Sequence, residues 1–204
     1  MFTALIITSC VKESSKDTYY YCRKLSLECS KEYDQVTFYT SKGSFSVDLY
    51  YETNPLTVSN FLRNIKKEIY IGKKFYKILD FDDNKIIYSG IENNRYLTNL
   101  DLVDSLVTNL IPLEISLTGN SLPIYGVSID DPIQLSRLIN RFEPGTIAMV
   151  NYDKTSSSST EFFLVTNKMP ELDGRYSIFG KVISGLEILQ ELEKNDEIID
   201  IKVF

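Results

Sequence analysis

The sequence predicts a mainly β domain in which short antiparallel strands close into a barrel, capped by two α-helices and interrupted by one long insertion. Three observations predict it. Short runs rich in β-branched and aromatic residues recur from Val36 to Phe204, with turn residues between them. Two segments stand out with helical periodicity, around Val58–Ile69 and Leu186–Glu193. A chain with many short strands and few helices also has edges to protect, and closure removes them. The 204 residues, 43% hydrophobic and 25% charged, suffice for one such domain with a tail or insertions.

The elements follow in order. Val36–Thr40 and Ser44–Tyr50 flank Lys42-Gly43, a hairpin pattern with glycine in the turn. Asn54-Pro55 then supplies a cap residue and a proline at the first helical position. Val58, Phe61, Leu62, Ile65 and Ile69 form the apolar stripe of that helix, with Arg63, Lys66, Lys67 and Glu68 on its other face. Strands are expected at Lys74–Leu79, Ile86–Ser89, Thr146–Asn151, Glu161–Thr166, Tyr176–Val182 and Ile198–Phe204. Residues 91–143 lack a clear period and read as an insertion, with a strand-like Ile111–Ile115 and a short helical stretch at Pro132–Asn140. The serine run Ser156–Ser159 reads as a solvated loop.

Composition closes most routes to cofactor chemistry. The chain has no histidine, which removes Ser-His-Asp and Cys-His arrangements, HExxH zinc sites and imidazole switches. Three cysteines cannot make a four-thiolate metal site, and the nine glycines include no phosphate-binding loop. No metal and no cofactor are therefore expected. Acidic residues outnumber basic ones 28 to 22, a net charge of −6, so the basic face needed for nucleic acid is missing. No apolar run reaches the roughly 18 residues of a membrane-spanning helix.

Residues 1–33 read as a leader and tether ahead of a domain spanning 34–204. Leu5-Ile6-Ile7 followed by Thr8-Ser9-Cys10 resembles a bacterial lipobox, with Cys10 as the lipidated residue that anchors the chain to a membrane. The competing reading is a buried first strand. Cys22 and Cys29 are either a disulfide, suited to an oxidising envelope compartment, or two free thiols. The expected location is the bacterial cell envelope, periplasmic or lipid-anchored, with a thylakoid-lumen-type compartment as the alternative.

Five segments in fixed order resemble the cyclophilin family of peptidyl-prolyl cis-trans isomerases. They are Asn54–Leu62 with its T-V-x-N-F core, Tyr70–Ile78, Gly145–Met149, Glu161–Phe163, and Leu172–Val182 with its L-D-G-x-Y-x-x-F-G-K-V pattern. Ile111–Ile115 and Pro123–Gly126 resemble the cyanobacterial and thylakoid-lumen branch. The resemblance implies an eight-stranded barrel with two helices. It also implies isomerisation of X–Pro bonds without metal or cofactor, acting as a monomer on proline-containing peptides or unfolded client proteins.

Carried over position by position, the resemblance puts Lys77 where the family has its catalytic arginine and Tyr76 at the preceding histidine. Tyr88 falls at the family's glutamine. The proline pocket falls on Ile86, Phe163, Leu172 and Tyr176, and the strand lining the substrate backbone on Val150 and Asn151. Glu171 stands where some members have tryptophan. Lys77 keeps the charge but not the planar fork of donors; its other reading is an exposed strand lysine. Phe163 and Leu172 are read either as pocket or as plain core. These substitutions leave two functions open, an isomerase of reduced activity or a non-catalytic module that binds proline-containing segments or an assembly partner.

Overall fold

The computed structural model describes residues 17–29, 33–81, 84–92 and 110–204. Cys10, the lipidation candidate, lies outside them. The strands are β1 (Gln35–Thr40), β2 (Gly43–Leu49), β3 (Lys77–Phe81), β4 (Asn84–Ser89), β5 (Ile111–Pro112), β6 (Glu114–Ile115), β7 (Ile124–Tyr125), β8 (Thr146–Asn151), β9 (Ser156–Val165), β10 (Ile178–Ser184) and β11 (Ile198–Val203). The helices are α1 (Thr18–Lys24), α2 (Pro55–Lys66), α3 (Pro132–Ser136) and α4 (Leu186–Glu191). The segment read as a tether thus contributes a helix, α1, and Cys22 within that helix is disulfide-bonded to Cys29 beyond its end.

The sheet is antiparallel and mainly β as expected, but it does not close. Its order is β11-β1-β2-β10-β8-β9-β4-β3, with β5 added on β9, and β6 pairs with β7 in a separate two-stranded sheet. Among the described residues no ladder joins β3 to β11. An isolated bridge, Lys74 to Glu197, and backbone bonds such as Phe75 N to Asp196 O at 2.9 Å span the gap instead. The reason is local. Residues 70–73 form a turn with Gly72 at φ +71°, so regular pairing of β3 begins only at Lys77. Irregularities in register at Tyr39/Thr40, Met149/Asn151, Ile178/Gly180 and Val182/Ser184 curl the sheet into a half-barrel.

The concave side is filled by α2 and a set of aromatic rings. Phe61 of α2 meets Phe179 at 4.8 Å and Tyr70 at 5.2 Å, and Phe38 stacks on Phe45 at 4.7 Å. Asn60 and Asn64 are also buried on this face, and both amides donate to Ser159 O, at 2.7 and 2.6 Å. Their polarity is satisfied by β9, which fixes the helix against the sheet.

Two local expectations change. Ser156–Ser159 is not a solvated loop but the first part of β9, where Ser157, Ser158 and Ser159 are buried. Hydroxyls and backbone there find partners inside, as when Ser158 Oγ accepts from Thr160 N and Glu161 N. Asn54 sits at the N-cap position of α2, yet its side chain makes no cap bond. The cap is Glu114, whose Oε1 accepts from Leu56 N at 3.1 Å and whose Oε2 accepts from Thr57 N at 2.8 Å and Thr57 Oγ1 at 2.6 Å.

Candidate active site

Strand register lines up the site. Lys77 on β3 lies opposite Tyr88 on β4, Tyr88 opposite Phe163 on β9, Phe163 opposite Ala148 on β8, and Ala148 opposite Ile178 on β10. Directly paired residues share a sheet face, so these five make one row across four ladders. The row is aromatic at its centre. Tyr88 stacks on Phe163 at 5.6 Å, and Lys77 Nζ stands 4.9 Å from the centroid of the Tyr88 ring. An ammonium at that distance is attracted by the ring face.

The other wall comes from the turn Pro170–Leu172 and the segment leading into β10. Tyr176 meets Phe163 edge-on at 5.1 Å. Ile86, Tyr88, Val150, Leu172 and Tyr176, all half-buried, pack on one cluster with Phe163. Thus the apolar residues picked out in the sequence come together at one place, with Lys77 at its rim. Phe163 itself is only 2% exposed, so it is the buried centre of this cluster. Asn151 lies at the end of β8, where the register breaks after Met149 and turns its side chain toward Arg175 O. Beyond Asn151 and Tyr176 opens a cavity of about 390 Å³, edged by Asp130, Lys154 and Arg175.

Two residues of the site carried no expectation. Phe142 stacks on the far side of Phe163 at 5.7 Å and is held by Phe142 N donating to Asp173 Oδ1 at 2.8 Å. It ends the insertion, in a stretch without period, so no sequence signal marked it. Glu161 precedes Phe163 by two on β9 and therefore faces the same side. Tyr76 Oη donates to its Oε1 at 2.9 Å. Burial, and then the Glu161 carboxylate, push the Tyr76 phenol far above its ordinary range and keep it a donor. Burial, followed by Tyr176, also raises the Tyr88 phenol. Its signal was the motif Glu161-Phe162-Phe163 itself. Among the described residues no three His, Cys, Asp or Glu side chains converge as a metal site, and no helix is long and apolar enough to cross a membrane.

Residues 35–202 match the family model described as cyclophilin type peptidyl-prolyl cis-trans isomerase/CLD. Peptidyl-prolyl cis-trans isomerase-like 3 of Gallus gallus is 30% identical over 159 residues, covering 78% of this chain and 81% of the relative. A putative thylakoid lumen peptidyl-prolyl cis-trans isomerase of Synechocystis is 29% identical over 174 residues, 80% of this chain and 45% of that protein. A Cryptosporidium parvum cyclophilin type isomerase solved in the presence of the dipeptide Ala-Pro shares the fold. Its TM-score is 0.56 at 24% identity, over 83% of this chain and 98% of that one.

Proposed function

The chain belongs to the cyclophilin-type peptidyl-prolyl cis-trans isomerase family, and on that premise we propose that it isomerises X–Pro bonds of client proteins at a reduced rate, with the Lys77 ammonium as the cationic donor. Rotation about a peptide bond sacrifices amide resonance, a barrier of about 18–20 kcal/mol. No bond is made or broken, so the protein need only bind the twisted amide better than either planar isomer. Tyr88, Phe163, Leu172 and Tyr176, with Ile86 and Val150, grip the proline ring, while Val150 and Asn151 line the substrate backbone. A cation at the rim stabilises the proline nitrogen as its lone pair localises.

The observation that carries this reading is the position of Lys77, its Nζ 4.9 Å above a ring that stacks on Phe163. Lysine offers a point charge rather than a rigid fork, so it recovers only part of what arginine gives. A well-placed transition-state donor contributes about 2.7–4 kcal/mol. In a proline-limited refolding assay, Lys77→Ala should lose about 10- to 100-fold in kcat/KM, and Lys77→Arg should exceed wild type. Activity unchanged in Lys77→Ala would remove Lys77 from the reaction.

A second reading is favoured by the aromatic packing. A tyrosine, not an amide, stands at position 88 and covers Phe163, as suits a module that binds proline segments or an assembly partner without turnover. Peptide binding without acceleration of refolding is its signature. For location, the Cys22–Cys29 disulfide supports an oxidising compartment. We place the protein in a bacterial envelope as a monomer, anchored through Cys10; a thylakoid-lumen-type compartment is the alternative.

A further inference from the structure

Two fully buried serines, Ser157 on β9 and Ser177 just before β10, are linked by hydrogen bonds to residues of the proposed groove. Glu114 N donates to Ser177 Oγ at 2.8 Å. Ser157 Oγ lies 3.3 Å from Ser177 Oγ and itself donates to Asn151 Oδ1 at 3.1 Å. Because the Ser157 proton is committed to Asn151, the shared bond runs from Ser177 to Ser157. The Asn151 amide then has one orientation: its oxygen receives Ser157, and its Nδ2 donates to Arg175 O. Arg175 and Ser177 are the two neighbours of Tyr176 in the chain. The hydrogen-bonded line therefore closes into a ring through the Tyr176 backbone.

We propose that Ser157, Ser177 and the Asn151 side chain form a clamp on Tyr176 that sets the wall of the proline groove, making the two serines positioning residues for the X–Pro substrate. The inference rests on Tyr176 being a groove residue, as in the function proposed above. Both serines are fully buried, so a missing hydrogen-bond partner leaves a buried donor or acceptor unpaired. The Tyr176 ring is positioned by the backbone at 175–177, and the clamp holds that backbone from both sides. Glu114 feeds the ring from the insertion, so the insertion also supports the groove.

The test is a double-mutant cycle read by titration with an Ala-Pro-containing tetrapeptide, which reports binding whether or not turnover occurs. Ser177→Ala and Ser157→Ala should each weaken peptide binding about 3- to 10-fold in the wild-type background. In a Tyr176→Ala background the same substitutions should change it less than about twofold, because the wall they position is gone. Undiminished weakening in the Tyr176→Ala background, or no weakening in the wild-type one, overturns the clamp. If Tyr176→Ala alone leaves binding unchanged, the groove assignment itself fails, and the clamp with it. Thermal melts check that each variant folds; should Ser177→Ala not fold, Ser157→Ala breaks the same ring at its next link.

Discussion

Replacing Glu114 with glutamine tests whether one buried carboxyl governs how stability depends on pH. Burial pushes this carboxyl up from 4.5 to about 7, against the pull of Thr57, Leu56 and Tyr125, whose hydrogen bonds favour the charged form. Between those values the folded chain keeps a proton that the unfolded chain has lost. The contribution of this group to stability is therefore whole below about pH 4.5 and declines as pH rises through about 7. At about 1.4 kcal/mol per pH unit the decline totals about 3 kcal/mol. The proton has two possible destinations. Leu56 N and Thr57 N can only donate, so a protonated carboxyl must give to the Tyr125 hydroxyl or to Thr57 Oγ1. Glutamine does not titrate, but its amide nitrogen must face one of those two backbone donors, at a cost of about 1–3 kcal/mol. The neighbouring phenols Tyr51 and Tyr125 are both raised, and so stay neutral across the window. Urea denaturation of both proteins from about pH 4.5 to about pH 8 isolates the effect, since every other carboxyl is common to both. Wild type should be the more stable at the acid end by about 1–3 kcal/mol, and the gap should close or reverse by about pH 8. A gap that stays constant, or widens with pH, refutes the reasoning.

Two further predictions concern the site and the amino-terminal segment. Tyr88→Phe should retain near-wild-type kcat/KM while Tyr88→Leu loses severalfold, because the ring face rather than the hydroxyl holds the Lys77 ammonium; equal losses in steady-state assays would assign the role to the hydroxyl. The Cys22–Cys29 bond closes a loop with a sequence separation of 7, which restrains the unfolded segment by about 2 kcal/mol. Reduction by a dithiol should therefore speed hydrogen exchange in α1 by roughly 10- to 50-fold while leaving Phe61 and Phe162 protected, and unchanged exchange in α1 would show that the bond holds nothing.

What could be read in the sequence was what chain neighbours decide. The stripe of Val58, Phe61, Leu62 and Ile65 gave α2, and alternation gave most strands. The candidate pocket residues came from motif, and the fold brings them to one cluster around Phe163. What stayed hidden depends on groups far apart in sequence. Asn54 has the chemistry of a cap, but the cap is Glu114, sixty positions away along the chain. A serine run looks solvated unless one knows that Asn60 and Asn64 reach it. Nor does a tally of strands reveal whether the last ladder forms, and here residues 72–75 meet 195–198 through single backbone bonds and one isolated bridge rather than a regular ladder.

The described part of the insertion, residues 110–143, braces both α2 and the aromatic cluster around Phe163. It caps α2 through Glu114, backs Phe163 with Phe142, and hydrogen-bonds Ser177 beside the groove wall. Asp173, in the turn that carries Leu172, receives Phe142 N and pairs with Arg141 at 3.2 Å. These contacts brace α2 and the cluster around Phe163, and none of them reaches Lys77. The cluster around Phe163 is thus braced from several directions, whereas the Lys77 ammonium stands over the Tyr88 ring. On the function proposed above, a substitution at Lys77 should lower turnover more than peptide binding, which is why the two must be measured separately.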